Sequence, residues 1–177
     1  MIYGIVAVDK NFGIGKTNKK TGKGELLFNL KKDMQFFKNT TADSIVFCGY
    51  NTLLSFPGSK PLKGRSTIVL CPEGVERDDC FCIHNFETAV KLIKELAKTQ
   101  NVFIIGGAML YQSMLPYYDK IYVNKVDADG GAEVFFPNLD EHPDYEPYQF
   151  LPIVEDEGYQ TRLVTYRRKI PLEMLEG

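Results

Sequence analysis

Apolar positions along the chain fall into short runs of two kinds, separated by turn residues. Ile2–Val8, 44–48, 66–71, 80–84, 102–105 and Lys120–Val126 are rich in Val, Ile, Phe and Tyr, so each is expected to be a strand. Between them the apolar positions recur at helical spacing. Residues 27–39 place Leu27, Leu30, Met34 and Phe37 on one stripe, residues 85–99 do the same with Ala89, Leu92, Ile93 and Leu96, and residues 108–115 follow a Gly-Gly opening. This alternation predicts an α/β fold with a mainly parallel central sheet flanked by helices. After Tyr117 strands continue without helices. Lys120–Val126 and residues 161–169, separated by a polar, proline-bearing stretch at 138–147, predict an antiparallel C-terminal strand pair at the sheet edge. The polar, glycine-rich run 15–24 reads as a loop.

Composition narrows the class of function. The chain has 177 residues, 44% hydrophobic and 25% charged, which suits one globular domain able to fold without disulfides or metal. Its 21 Lys and Arg against 23 Asp and Glu give a net charge of −2, so neither nucleic acid nor an anionic membrane is an expected partner. No apolar run approaches the roughly 20 residues that cross a bilayer. The start, Met1-Ile2-Tyr3-Gly4-Ile5-Val6, lacks the basic and long apolar regions of a signal peptide, and a cytoplasmic location is expected. Cys48 and Cys71 close apolar runs, where a thiol acts as a small hydrophobe. Cys80-Phe81-Cys82 would need His84 and a further ligand to hold a metal, so no metal is expected.

Several residues carry candidate chemistry. Gly13-Ile14-Gly15-Lys16-Thr17 ends like a phosphate loop, but the required earlier glycine is Lys10, and the dinucleotide fingerprint fails at Asn18. A turn needing positive φ is the plainer reading of those glycines. Asp33 lies four positions before Phe37, about 40° around the helix, and so falls on the apolar stripe. A carboxylate there needs a partner, which is either a structural pairing near the helix start or a ligand. In the second case burial would lift its pKa, and the group could orient a cationic or amidine-like ring and assist its protonation. Phe103-Ile104-Ile105-Gly106-Gly107-Ala108 and Ser44-Ile45-Val46-Phe47-Cys48-Gly49-Tyr50-Asn51-Thr52 both run from an apolar strand into glycine, which lets backbone approach a phosphate. Arg65 could clamp a carboxylate bidentately, or be an ordinary surface arginine.

Taken together and in order, these stretches resemble dihydrofolate reductase. The matching segments are Ile5-Val6-Ala7-Val8-Asp9 with Ile14-Gly15, Leu30-Lys31-Lys32-Asp33-Met34-Gln35-Phe36-Phe37-Lys38, Val46 to Thr52, Pro61-Leu62-Lys63-Gly64-Arg65, Ile104 to Tyr111, and Phe135-Phe136-Pro137. They span roughly the first 170 residues, implying a single domain over 1–170 and a tail at 171–177. The resemblance implies an oxidoreductase of one-carbon metabolism that makes tetrahydrofolate by passing hydride from a nicotinamide to C6 of dihydrofolate. Asp33 would be the catalytic residue, binding the pterin 2-amino group and N3 and supporting protonation at N5. Phe37 would pack on the p-aminobenzoyl ring and Arg65 would hold the glutamate α-carboxylate. Ile5, Val6, Leu26, Phe28, Met34, Phe56 and Leu62 would line the pocket. Ala7, Ile14, Gly15, Thr52, Ile105 and Tyr111 would hold the nicotinamide half of the cofactor. Gly49, Tyr50, Asn51 and Thr52 with Gly106, Gly107, Ala108, Met109 and Leu110 would hold its phosphates, and Leu70 and Cys71 would belong to the same site.

The sequence also departs from that family. Phe28 stands where the family usually has Trp, and Asn124 where it usually has a Thr partner of the acid. The segment between Gly15 and Leu26 is longer than in compact bacterial members and is expected to be a mobile lid. No cationic clamp for a 2′-phosphate stands at Tyr50, Cys71-Pro72 or Met109, so NADPH is expected on family grounds, with Arg77 or lid lysines substituting, and NADH is possible. The expected partner is dihydrofolate, and the expected state a monomer or weak homodimer. Two alternatives are a reductase of the same fold acting on a riboflavin-pathway pyrimidine, and a pterin- or nucleotide-binding protein without catalysis.

Overall fold

The computed structural model describes residues 1–175; the last two residues of the 171–177 tail lie outside them. Its elements are β1 Ile2–Val8, β2 Gly13–Thr17, β3 Gly24–Glu25, α1 Lys31–Thr41, β4 Ile45–Gly49, α2 Tyr50–Ser55, β5 Ser66–Leu70 and β6 Phe81–Ile83. They continue as α3 Phe86–Leu96, β7 Val102–Gly106, α4 Ala108–Ser113, β8 Lys120–Val126, β9 Val134–Phe135, β10 Tyr145–Phe150, β11 Val154–Asp156, β12 Tyr159–Arg168 and α5 Leu172–Leu175. Two compact units emerge. Unit 1 comprises Met1–Gly4 and Lys38–Tyr118, and unit 2 comprises Ile5–Phe37 and the chain from Asp119 onward.

Unit 1 is the parallel part, with strand order β1-β7-β4-β5-β6. Its central strands are apolar at consecutive positions because both faces are covered: Val46, Phe47, Cys48, Val69, Val102 and Ile104 are all fully buried. Helix α3 begins after Asn85, whose side chain accepts from the Thr88 N–H at 3.0 Å, and it buries Ala89, Val90 and Ile93. The helical pattern read over 85–99 ends at Leu96, and residues 98–100 continue as backbone turns. The strand bounds predicted for this half hold to within one or two residues at each end.

Unit 2 carries the antiparallel part. Here β12 pairs with β8 through Val164↔Val123 and Tyr166↔Ile121, with β10 through Tyr145↔Arg168, and with β11 through Asp156↔Tyr159. The predicted strand pair is therefore present and extended. Strand β10 was hidden by its composition, since Tyr145-Glu146-Pro147-Tyr148-Gln149-Phe150 is an edge strand with a register shift beside Pro147 and exposes four of its six residues. Between the faces lie Ile121, Val123, Phe136, Leu139, Tyr145 and Tyr166, each buried.

The N-terminal region departs from its local sequence pattern in two places. The run 15–24 is not a plain loop: β2 pairs with β3 through Lys16↔Glu25 and Thr17↔Gly24, and with β9 through Gly13↔Phe135. Asn18 closes the hairpin by accepting from the Lys20 and Thr21 N–H groups, and Gly22 supplies a positive φ of 70°. The ordering partner, β9, lies more than a hundred residues away, so local composition carries no trace of it. The helix read over 27–39 starts only at Lys31, with Leu30 buried ahead of it. Among the described residues no helix is long and apolar enough to cross a membrane.

Candidate active site

Asp33 lies in the first turn of α1, where it meets a side-chain partner. Asn124 of β8 donates from Nδ2 to Asp33 Oδ1 at 2.9 Å, so the partner that the resemblance implied for the acid meets it within unit 2. The Asp33 N–H donates to Asp156 Oδ2 at 3.0 Å and the Lys32 N–H to Asp156 Oδ1 at 3.1 Å, making Asp156 the cap of the helix. Burial pushes the Asp33 carboxyl above the usual carboxylate range; the Asn124 hydrogen bond opposes this and the Asp156 charge adds to it. Asp33 is thus a carboxyl that accepts a fixed hydrogen bond and keeps its proton to higher pH than an exposed one. Two turns of helix position it, and Phe36 anchors them by packing edge-on against Tyr122 at 5.8 Å.

The other unit 2 candidates lie on β1, on β2, and on or just before α1. Ile5 and Val6 are buried on β1, Ala7, Ile14 and Gly15 are half-buried, and Phe28 and Phe37 are half-buried. Met34 at 51% exposure and Leu26 at 75% are large apolar side chains left open to solvent, which an apolar ligand would cover. Phe28 packs against Tyr159 at 4.8 Å, a neighbour that nothing in the local sequence announced. Gly130 is also close, since an added Cβ there would lie 3.0 Å from Phe28 Cζ and 2.9 Å from Leu27 Cβ.

Asp9 organises the turn between β1 and β2. Only 2% exposed, it accepts at Oδ1 from the Asn11 N–H (2.9 Å) and the Gly13 N–H (2.7 Å), and at Oδ2 from the Gly130 N–H (3.1 Å). The expectation of positive φ at Gly13 and Gly15 fails, since the left-handed residue of this turn is Phe12 at 61°. Gly13 is glycine for space: a Cβ would collide with Ala132 and lie 2.8 Å from Asp9 Oδ1.

Unit 1 holds the other candidates. At the carboxyl ends of β4 and β7 the Gly49 and Gly107 backbones approach each other, a Cβ on Gly49 falling 3.9 Å from the Gly107 nitrogen. Cβ atoms on Gly106 or Gly107 would each lie 3.4 Å from Thr52 Oγ1, and Gly106 has a φ of 129° that other residues rarely adopt. Side chains at these positions would fill the space that a phosphate needs, so the glycines fit a dinucleotide cradle at the carboxyl ends of parallel strands. Ile105, Leu110, Tyr111 and Cys71 are buried beneath it, Leu70, Tyr50, Thr52 and Ala108 are half-buried, and Asn51 and Met109 are exposed.

Arg65 is held rigidly. Its Nε donates to Thr41 Oγ1 at 2.8 Å, Nη2 to the Lys38 carbonyl at 2.8 Å, and Nη1 to the Lys63 carbonyl, so the guanidinium is oriented at the end of α1 before any ligand arrives. Phe56 and Leu62 are half-buried in the same unit. Arg77 is less suited to the role suggested for it, because Asp79 holds it at 2.7 and 2.9 Å and Nη2 also donates to the Ser59 carbonyl. His84 is paired with Glu76 at 2.8 Å, and that hydrogen bond raises its pKa. The Cys80 and Cys82 sulfurs are 3.9 Å apart. Burial pushes the Cys48 and Cys71 thiols up to about 12, which suits inert packing.

Comparison with known proteins places the whole pattern. A family model described as dihydrofolate reductase matches residues 1–168. The dihydrofolate reductase of Staphylococcus haemolyticus is 32% identical over 139 residues, covering 77% of this chain and 78% of that protein. The Rattus norvegicus enzyme is 31% identical over 189 residues, covering 93% and 96%. Among solved structures, dihydrofolate reductase from Enterococcus faecalis, complexed with NADP(H) and RAB-propyl, superimposes with a TM-score of 0.80 at 26% identity, covering 96% of this chain and 97% of that one.

Proposed function

This chain belongs to the dihydrofolate reductase family, and on that footing we propose that it reduces 7,8-dihydrofolate to tetrahydrofolate with hydride from NADPH. The observation that carries the reading is the Asp33 carboxyl, half-buried and tied to Asn124. Family membership favours neither a pyrimidine reductase nor a non-catalytic binder.

The reduction adds hydride at C6 and a proton at N5, so the protein must hold the pterin in register and make a proton available. Asp33 serves both needs. As an acceptor it fixes the 2-amino group and N3–H of the ring, and its raised pKa lets it support protonation at N5 nearer neutrality than an exposed aspartate. Asn124 pins Oδ1, which restricts the orientation in which the carboxyl receives the ring. Within unit 2, Ile5, Val6, Phe28 and Met34 offer apolar surface to the pterin and Phe37 to the p-aminobenzoyl ring; within unit 1, the half-buried Phe56 and Leu62 are the apolar substrate candidates. Arg65, oriented by Thr41 and Lys38, takes the glutamate α-carboxylate. The glycine-bearing strand ends of unit 1, Gly49 to Thr52 and Gly106 to Leu110, take the cofactor's phosphates, and NADPH supplies the hydride when bound. Closure of the lid would exclude water from the reacting atoms.

The test is the initial rate of dihydrofolate-dependent oxidation of NADPH and of NADH, measured side by side, for wild type and Asp33→Asn. The wild type is expected to turn over and to prefer NADPH. Asp33→Asn should lose about 100-fold or more in kcat at neutral pH while binding NADPH normally, on the usual contribution of a positioned acid. Unchanged turnover by Asp33→Asn would refute the assigned role.

A further inference from the structure

The hairpin that joins β11 to β12 is built onto the first turn of α1. Each oxygen of the Asp156 carboxylate accepts one helix N–H, from Lys32 at 3.1 Å and Asp33 at 3.0 Å, and the residue is only 2% exposed. Lys32 reaches back from Nζ to the Glu155 carbonyl, and Lys31 Nζ lies 3.8 Å from the Glu157 carboxylate. The hairpin is itself well defined: Asp156 pairs with Tyr159, and Glu157 and Gly158 between them adopt positive φ of 51° and 85°. A buried anion is thus set against the positive end of the helix, from a segment more than a hundred residues away in sequence.

Resting on the reading of Asp33 as the catalytic acid, we propose that Asp156 is the positioning residue of the pterin half-site: it fixes the first turn of α1, hence the direction of the Asp33 carboxyl, and sets a negative charge behind it. The charged and titratable neighbours on each element are few. From β8 Asp33 is met by the neutral Asn124, and from β11 by Asp156. On α1 itself Lys32 turns its ammonium to Glu155 and Lys31 to Glu157. Asp156 is therefore the charge that opposes ionisation of Asp33, in the same direction as burial.

Asp156→Asn keeps the side-chain volume and one acceptor oxygen but removes the charge. Two readouts follow: the pH profile of kcat, and the titration of the Asp33 carboxyl by carbon NMR in the ligand-free protein. Since turnover draws on the protonated carboxyl and declines as pH rises, both midpoints should move to lower pH. Turnover at a fixed pH above the midpoint should then fall roughly three- to tenfold, with KM for dihydrofolate within about twofold. Asp156→Glu keeps the charge and displaces the helix turn, so its midpoint should stay while kcat falls about threefold. Midpoints unmoved in Asp156→Asn overturn the electrostatic role. If that variant does not fold, wild-type kcat in Asp156→Glu overturns the positioning role. Failure of the underlying reading shows differently, as full turnover in Asp33→Asn.

Discussion

Replacing Asp9 is the sharpest test of how β2 is anchored. The carboxylate accepts three backbone N–H groups, two at Oδ1 and one at Oδ2, at 2.7 to 3.1 Å, and the residue is buried. Alanine leaves all three donors without that partner. A hydrogen bond to a charged group contributes about 1.5–3 kcal/mol, less where water can replace it, and two of these three are only partly buried. Asp9→Ala should therefore cost about 3–5 kcal/mol. Asparagine retains the Oδ1 bonds to Asn11 and Gly13 and presents an amide to the Gly130 N–H, so Asp9→Asn should cost about 1–2 kcal/mol. For a chain of this length each kcal/mol lowers Tm by about 2–4 °C, giving drops of roughly 10 °C and 4 °C respectively. Urea unfolding followed by circular dichroism, with calorimetry for Tm, reads both variants. A loss under about 1 kcal/mol for Asp9→Ala would refute the role of Asp9 as the anchor of β2, and equal losses for the two variants would refute the Oδ1 bonds that asparagine is expected to keep.

Three further outcomes are expected. Gly130→Ala places a Cβ 2.9 Å from Leu27 and 3.0 Å from Phe28; it should cost about 1–3 kcal/mol in urea unfolding and raise KM for dihydrofolate as Phe28 shifts. Arg65→Lys cannot reproduce the three oriented bonds to Thr41, Lys38 and Lys63; KM for dihydrofolate should rise about tenfold or more with kcat little changed, and a pterin without the glutamate should show no such rise. Asp33 has a folded-state pKa above its unfolded value, so the folded state binds more protons between the two and wild-type stability falls as pH rises through that window. Asp33→Asn should accordingly be more stable than wild type above the window and indistinguishable from it below, as followed by Tm against pH.

Much of the scaffold was legible because burial writes itself into local pattern. β4, β5 and β7 read as strands from unbroken apolar runs, since helices or loops cover both their faces, and α3 read as a helix from its 3.6-residue stripe. Asp33 stood out as a charge on an apolar face, and Gly49, Gly106 and Gly107 as strand-end glycines. What escaped was settled by partners remote in sequence. The run 15–24 looked like a loop because the strand that orders it, β9, is two exposed residues long. β10 was masked by its own edge position, where polar residues and a proline are the norm. The start of α1, misplaced by four residues, depends on Asp156, and the orientation of Arg65 depends on Thr41, whose hydroxyl is an unremarkable feature of any sequence. Local pattern records which residues must leave water, because that cost is paid residue by residue. Which acceptor meets which buried donor is decided only when distant segments are packed together: the resemblance named Asn124 as the partner of Asp33, and the packing alone added Asp156.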